Sequence, residues 1–440
     1  MIFLGKNKEK RLIEQAEQSK IDQRPGKQAL RRFRQNRLAL RSLRILYGLI
    51  FIAVFADFIA NEKPLFCRLG GKTYFPVFKQ YAVDLGLAKR DSVFFQKDWS
   101  EHNYDAVIFP PIPYSATTID GKNSGYKSPF ERQNVASWRF RHWLGTDQIG
   151  HDTLAGLIAG TRVALLVGIV AMSIAAAIGI LFGSMAGYFG DDGFRISHLR
   201  FWLNLFALFF AWFYGFHVRS YAISEVAASG GAGWELLKSL AIFTGILMAA
   251  NGLVWLLKKI PAGVFRKKMK LPLDLLVMRL VEMLNSIPGF LLLLSLVAVL
   301  QKSSIFWVMA IIGLIRWTSI ARYLRAELLK VKNLGYVEAA KALGFSNRRI
   351  LFRHALPNAL PPALVTIAFG VASAILLEST LTFLGIGLSG DEVTWGSLLA
   401  KARIFPGAWW LAVFPGAAIF VTVTIFNLLG EGLTEALAPR

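Results

Sequence analysis

The chain has 440 residues, is 54% hydrophobic with a mean hydropathy of +0.45, and holds several apolar runs near the roughly 20 residues that cross a bilayer, which excludes a soluble globular protein. Its formal net charge of +22 invites a nucleic-acid reading, but the charge is gathered beside apolar runs: 1–44 carries thirteen Lys/Arg against four acids, and 258–270 carries six and no acid. That is the positive-inside pattern, with attraction to anionic lipid, and no aromatic-basic module accompanies it, so no nucleic-acid partner is expected.

The basic segment 1–44 reads as a cytoplasmic tail. Leu30, Phe33, Leu38, Leu40 and Leu43 among the arginines of 26–44 suggest an interfacial helix, while the first 25 residues fit a disordered tail equally. The first span follows at 45–60, an uncleaved anchor, since the N-terminus is long and polar before it and carries no evident cleavable signal. Asp57 near its outer end is placed by Asn61-Glu62-Lys63-Pro64 within reach of interfacial water. The loop 61–141, rich in Pro and aromatics, faces outward and reads as irregular. Cys67 is the one cysteine, so no intrachain disulfide forms.

Residues 142–162, HWLGTDQIGHDTLAGLIAGTR, lead into a span at 163–182. The spacing of His142, His151 and Asp152 matches no zinc pattern, and no metal is expected. Gly187-Tyr188-Phe189-Gly190 marks a cytoplasmic turn. Apolar runs at 201–216 and 237–257 give two more spans, an even number that returns 258–270 to the inside. Then come an amphipathic entry at 273–288 with a span continuing to 300, an outer turn at Ser303 and Ser304, and a span at 305–320. Arg316 in that run must face protein or reach the interface. Spans at 359–376 and 409–429 complete eight, with both termini inside.

Between the spans at 305–320 and 359–376 lies the polar stretch 335–358, GYVEAAKALGFSNRRILFRHALPN. Tyr336, Ala339, Ala340 and Leu343 fall at i, i+3, i+4, i+7 on one face of a short helix. Gly344 ends that helix, because a glycine takes the left-handed cap conformation cheaply. Ser346 caps a second helix over 348–355 that Pro357 closes. Arg348, Arg349 and Arg353 supply a polar rim around small alanines that let another backbone approach.

These residues carry a resemblance. Glu338-Ala339-Ala340, Gly344, Ser346, Ile350 and Leu356-Pro357 resemble the EAA loop of the membrane subunits of bacterial ABC importers, which docks in a groove of a separate ATPase. Leu144-Gly145-Thr146-Asp147, Gly150, Asp152, Gly160-Thr161-Arg162, the LESTLTFLGIGL run beginning at Leu377-Glu378, Trp395-Gly396 and the C-terminal NLLGEGLTEALAPR are similar to dipeptide and oligopeptide importer permeases. FIANEKPL at 58–65 and Tyr74-Phe75-Pro76 resemble the long-peptide and microcin C branch. His151 stands where the family usually has arginine, Glu282 replaces its aspartate, and Thr382 its serine.

The resemblance implies an all-α, polytopic membrane protein: six spans in the permease pattern plus an inserted two-span hairpin at 199–271, within a permease core of 142–440. It implies transport without catalysis and without a cofactor. Partners would be two ATPase subunits, a second homologous permease, an extracytoplasmic peptide-binding protein and a peptide substrate. The sequence agrees that the energy source lies elsewhere, since it has no G-x-x-x-x-G-K-[ST] phosphate loop, catalytic triad or dinucleotide fingerprint. The hairpin reads as accessory, with substrate gating as its alternative. A nickel or other small-solute importer stays open, as do a secondary transporter using Asp57, Arg316 or Glu378, and a membrane scaffold or sensor.

Overall fold

The computed structural model describes residues 25–84, 86–87, 99, 104–222, 232–257, 268–300, 304–386 and 392–437. The tail 1–24, Ser303, most of the basic run 258–267, and Ala438, Pro439 and Arg440 at the C-terminus lie outside them. The described chain forms two compact units, one up to Gly183 and again from Val281, the other Ser184–Leu280.

In the first unit, α1 (Pro25–Gln35) and α2 (Arg37–Val54) meet at Asn36. Its Oδ1 accepts from Ala39 N–H at 2.9 Å, capping α2, and its amide donates to Glu435 at 2.7 Å. A short α3 (Ala56–Ile59) follows a break at Phe55. The segment 61–141 contains regular structure that the sequence reading lacks. Strands β1 (Phe66–Leu69) and β2 (Lys72–Tyr74) form a hairpin, and β3 (Ala106–Ile108) adds to it in the order β2-β1-β3, all antiparallel. Gly70 and Gly71, both at positive φ, supply the two-residue turn whose twist such a hairpin needs. Helix α4 (Pro76–Asp84) follows. Strands of three and four residues are too short to show an alternation, which is why composition alone suggested a loop.

Helix α5 (Thr153–Ser184) starts ten residues before the expected span and ends in a π turn, Met185–Phe189. The second unit holds α6 (His198–Trp212), which passes through a π turn at Phe213–His217, and α7 (Ala232–Leu257). Both helices present apolar side chains outward, including Phe206, Phe209, Trp212, Leu240 and Met248. Polar groups link them: Asn251 donates to Asn204 at 3.0 Å and accepts from Arg200 at 3.2 Å, and Arg219 pairs with Glu235. Strands β4 (Arg195–Ser197) and β5 (Lys268–Lys270) pair antiparallel at the base of this hairpin.

Helices α8 (Leu273–Ser286) and α9 (Gly289–Leu300) were expected as one entry and span, yet they are bent by 84°. Pro288 is the cause: it disfavours helical backbone at Ile287, and a new helix begins with Leu292 N–H on its carbonyl. Helix α10 (Ile305–Val331) lies closely against α5. A Cβ on Gly179 would sit 2.7 Å from that of Ile320, and one on Gly313 would sit 2.8 Å from the Ala171 carbonyl oxygen. Such small-residue contacts let helices pack where lipid supplies no hydrophobic driving force.

After α10 come α11 (Gly335–Ala342) and α12 (Asn347–Ile350), then a π turn at Leu351–Ala355 that runs into α13 (Leu356–Phe383). Pro357 therefore does not close the second short helix. It stands in the first turn of α13, where a missing N–H costs nothing, so the chain continues from Asn347 to Phe383. Helix α14 (Trp395–Ile404) begins with a Thr394–Ser397 capping box, and α15 (Trp410–Leu437) ends the described chain. Among the described residues, six helices are long and apolar enough to cross a membrane, seven with the bent pair counted as one span. The remaining expected span, 45–60, falls on the second half of α2 and on α3; Arg37, Arg41 and Arg44 occupy the first half of α2.

Candidate functional site

The eight residues singled out in 335–357 lie on the turn that follows α10 and on the first turn of α13. Helix α11 ends as a glycine-terminated helix does: Phe345 N–H reaches the Ala340 carbonyl at 3.1 Å, Gly344 N–H reaches that of Lys341 at 2.9 Å, and Gly344 has φ +74°. This double closure satisfies two of the carbonyls a helix end leaves open. Ser346 then accepts from Arg349 N–H and starts α12. Two side-chain contacts brace the turn. The Phe345 ring stacks on His354 and lies under the Arg349 guanidinium, and Asn358 donates to the Tyr336 hydroxyl at 3.0 Å.

The loop is two-sided. Val337, Ala340, Ile350, Leu351, Ala355, Leu356 and Ala359 are buried, fixing the loop to the helices above it. Glu338, Ala339, Gly344, Ser346 and Pro357 are exposed, as are Arg348, Arg349 and Arg353. The face expected as one stripe is thus split: Ala340 points inward with Val337, while Tyr336, Ala339 and Leu343 point outward, Leu343 being 73% exposed. A helix that is apolar on both sides defeats the assignment of its core face from periodicity. Leu334 and Phe352, absent from the expected set, enlarge the outward apolar surface, with Phe352 65% exposed. Their signal was apolarity inside a polar stretch.

A second constellation joins the other end of α5 to the loop before it. The His142 imidazole is fully buried, stacked on Tyr114 at 4.2 Å, with Nδ1 2.8 Å from Asp152 and Nε2 3.2 Å from Asp120. A carboxylate on each side favours the imidazolium, the form in which both ring nitrogens donate. Burial alone would lower the His142 pKa; the hydrogen bonds and charge of Asp152 and then Asp120 outweigh it and raise the value. Asp152 also caps α5 by accepting from Ala155 N–H.

Beside it, Asp147 accepts from the backbone N–H groups of Ile149, Gly150 and His151, and pairs with the His151 ring at 2.9 Å and the Lys401 ammonium at 2.7 Å. Burial would raise its pKa, but His151 and Lys401 hold it well below the usual carboxylate range. Thus His142, His151 and Asp152, which the sequence suggested only as a poor metal set, sit with Asp147 in two adjacent charge clamps. Asp57, expected within reach of interfacial water, is partly exposed and also pairs with Arg162 at 2.8 Å and contacts the Tyr81 hydroxyl. Arg316 is half buried within α10, and Glu378 is 1% exposed within α13 among the hydroxyls of Ser379 and Thr382.

Comparison with known proteins adds the family. Residues 259–440 match the model of the binding-protein-dependent transport system inner membrane component, and 24–76 match that of the N-terminal TM domain of oligopeptide transport permease C. The inner membrane ABC transporter permease protein YejE of Escherichia coli K12 is 28% identical over 93% of this chain and 95% of its own length. The peptidoglycan transport system permease protein YejE of Agrobacterium fabrum is 26% identical over 93% and 91%. The probable D,D-dipeptide transport system permease protein DdpC of Escherichia coli K12 is 28% identical over 68% and 74%. A loop braced on one face and open on the other, on a bundle of membrane-length helices, accords with these matches: the chain belongs to the inner-membrane permease components of binding-protein-dependent, ABC-type transport systems.

Proposed function

We propose that this chain forms half of the translocation pathway of an ATP-driven peptide importer and receives the ATPase stroke through Glu338, Ala339, Ala340, Gly344, Ser346, Ile350, Leu356 and Pro357. A permease of this family is not itself catalytic and works in a complex with ATPase and substrate-binding partners. The finer assembly is part of the proposal: two ATPase subunits, a second homologous permease and an extracytoplasmic peptide-binding protein. So is the orientation, with both termini and the 335–357 loop cytoplasmic, which the basic clusters of 1–44 and 258–270 support. Within it, 1–44 is the tail with its interfacial helix, 45–60 the first span, 61–141 the outer loop, and 142–440 the permease core with the inserted hairpin 199–271.

The observation that carries this reading is the outward face of α11. Tyr336, Ala339 and Leu343 expose apolar surface on a helix whose other face is already packed, and the Arg348, Arg349 and Arg353 rim surrounds it. Such surface next to charge is the signature of a protein interface. Closure of the ATPases would bias the bundle between two states by pushing on this turn. Peptide as substrate is supported by the oligopeptide permease model on 24–76 and by the D,D-dipeptide relative.

The test is uptake in proteoliposomes holding the complete importer and its binding protein. ATP-dependent accumulation of trialanine is expected. Accumulation of nickel or another small solute, with no peptide, would overturn the substrate assignment.

A further inference from the structure

A cavity of about 420 Å³ lies in the first unit near the N-terminal ends of α5 and α10, away from the loop. Ile158, Phe306 and Met309 form much of its apolar wall, and Asp57, Arg162 and Glu392 are its charged members. The volume lies within the range of small-molecule sites, and an apolar wall with a few placed polar groups is their usual composition.

The charges in it are not equivalent. Arg162 is satisfied: its Nη2 donates to Asp57 at 2.8 Å and its Nε to the Ala53 carbonyl at 2.9 Å. Asp57 in turn accepts from Tyr81 as well. That pair is neutral as a whole. Glu392 differs, because among the described residues its Oε2 is buried without a hydrogen-bond partner. An unmet buried acceptor on a charged group costs free energy until a donor arrives. Desolvation pushes the Glu392 carboxyl up, against the pull of the Ile305 N–H. The donor that fits is a cation small enough to enter a walled cavity and able to make a charge-assisted hydrogen bond.

We propose that this cavity is a subsite for a primary ammonium group, in the first place the α-ammonium of a peptide, bound by Glu392 with the adjoining side chain against Ile158, Phe306 and Met309. The neutral Asp57–Arg162 pair fixes α3 to α5 and shapes the wall without competing for the ligand. The inference rests on the peptide-importer reading above and deepens it by naming the part of the substrate that is recognised.

The experiment is equilibrium binding of trialanine and of N-acetyl-trialanine to the purified importer complex, without its binding protein, for the wild type and for Glu392→Gln. Glutamine keeps the size and shape of the side chain and removes its charge; elution of the variant as the same assembly checks that the fold survives. The wild type should prefer trialanine about tenfold, which corresponds to about 1.4 kcal/mol. In Glu392→Gln that preference should vanish while binding of the acetylated peptide stays the same. Glu392→Asp, with the charge retained, should keep part of it.

Equal preference in wild type and Glu392→Gln would overturn the proposal. So would a wild type that binds neither peptide or does not distinguish them, a result that needs no variant. A complex that imports trialanine yet shows no such preference refutes the subsite alone; one that imports no peptide refutes the broader reading.

Discussion

Gly344→Val is expected to cut ATP-driven transport by about 5–30-fold while the protein still inserts and assembles. The cause is local. Gly344 has φ +74°, and a Cβ built there meets nothing within 4 Å, so the substitution is penalised by backbone conformation and not by crowding. A non-glycine residue in left-handed backbone costs about 1–2 kcal/mol, and a β-branched one stands at the unfavourable end. That energy corresponds to about a 5–30-fold loss in the population holding the native turn. The turn sets the angle between α11 and α12, the two pieces that present Ala339, Leu343 and the arginine rim. Because space is open, substitutions should rank by left-handed tolerance, with Asn mildest, Ala next and Val worst. ATP-dependent uptake by reconstituted importers checks the order; wild-type uptake by Gly344→Val would remove the loop from the coupling mechanism.

Asp147→Ala should produce the largest loss of stability. The change strips a buried carboxylate from Lys401 and leaves the Ile149 and His151 N–H groups without that acceptor, while Gly150 N–H keeps the carbonyl of residue 147. Removing one partner of a buried pair costs about 3–5 kcal/mol, which for a chain of this length lowers the midpoint of thermal unfolding by about 3–5 °C. Melting followed by retained elution volume in detergent measures it, and an unchanged midpoint would show that the clamp is ornamental to the fold.

The same outer platform carries opposite pH signatures. Asp147 has a depressed folded pKa, so its contribution is present above the unfolded value of about 3.9 and fades as pH falls toward the folded one. His142 has a raised folded pKa. Its contribution is full below the unfolded value of about 6.5 and is lost as pH rises through the folded one, when the imidazolium between Asp120 and Asp152 becomes neutral. Stability should therefore decline on the alkaline side in the wild type, and a variant lacking the His142 imidazole should lack that decline.

Local chemistry made much of the loop readable. Gly344, Ser346 and the short helix before them follow from capping rules that act over a few residues, and the spans follow from hydropathy. Pro357 was misread because proline stops a helix interior but is welcome in a first turn, and the π turn at Leu351–Ala355 that lets α13 begin there leaves no mark in composition. The bend at Ile287-Pro288 was written in the sequence, yet continuous apolarity on both sides concealed it. Non-local pairs were out of reach: Asp120 and His142 are 22 residues apart, Asp57 and Arg162 are 105 apart, and Asp147 and Lys401 are 254 apart. Each ion in these pairs, taken alone, reads as a solvated charge or a poor metal ligand. The inward turn of Ala340 was equally hidden, because a surface meant for a partner is as apolar as one meant for the core.

The most direct test of the coupling role is site-specific photocrosslinking from position 343, where Leu343 is 73% exposed, in the importer assembled in lipid, with Phe130 of the outer loop, 84% exposed, as the control position. A photoreactive residue at 343 should crosslink to the ATPase subunit with a yield that changes between nucleotide-free and ATP-bound complexes, and one at 130 should not. An assembled, ATP-hydrolysing complex in which position 343 gives no ATPase adduct in either state would contradict the account.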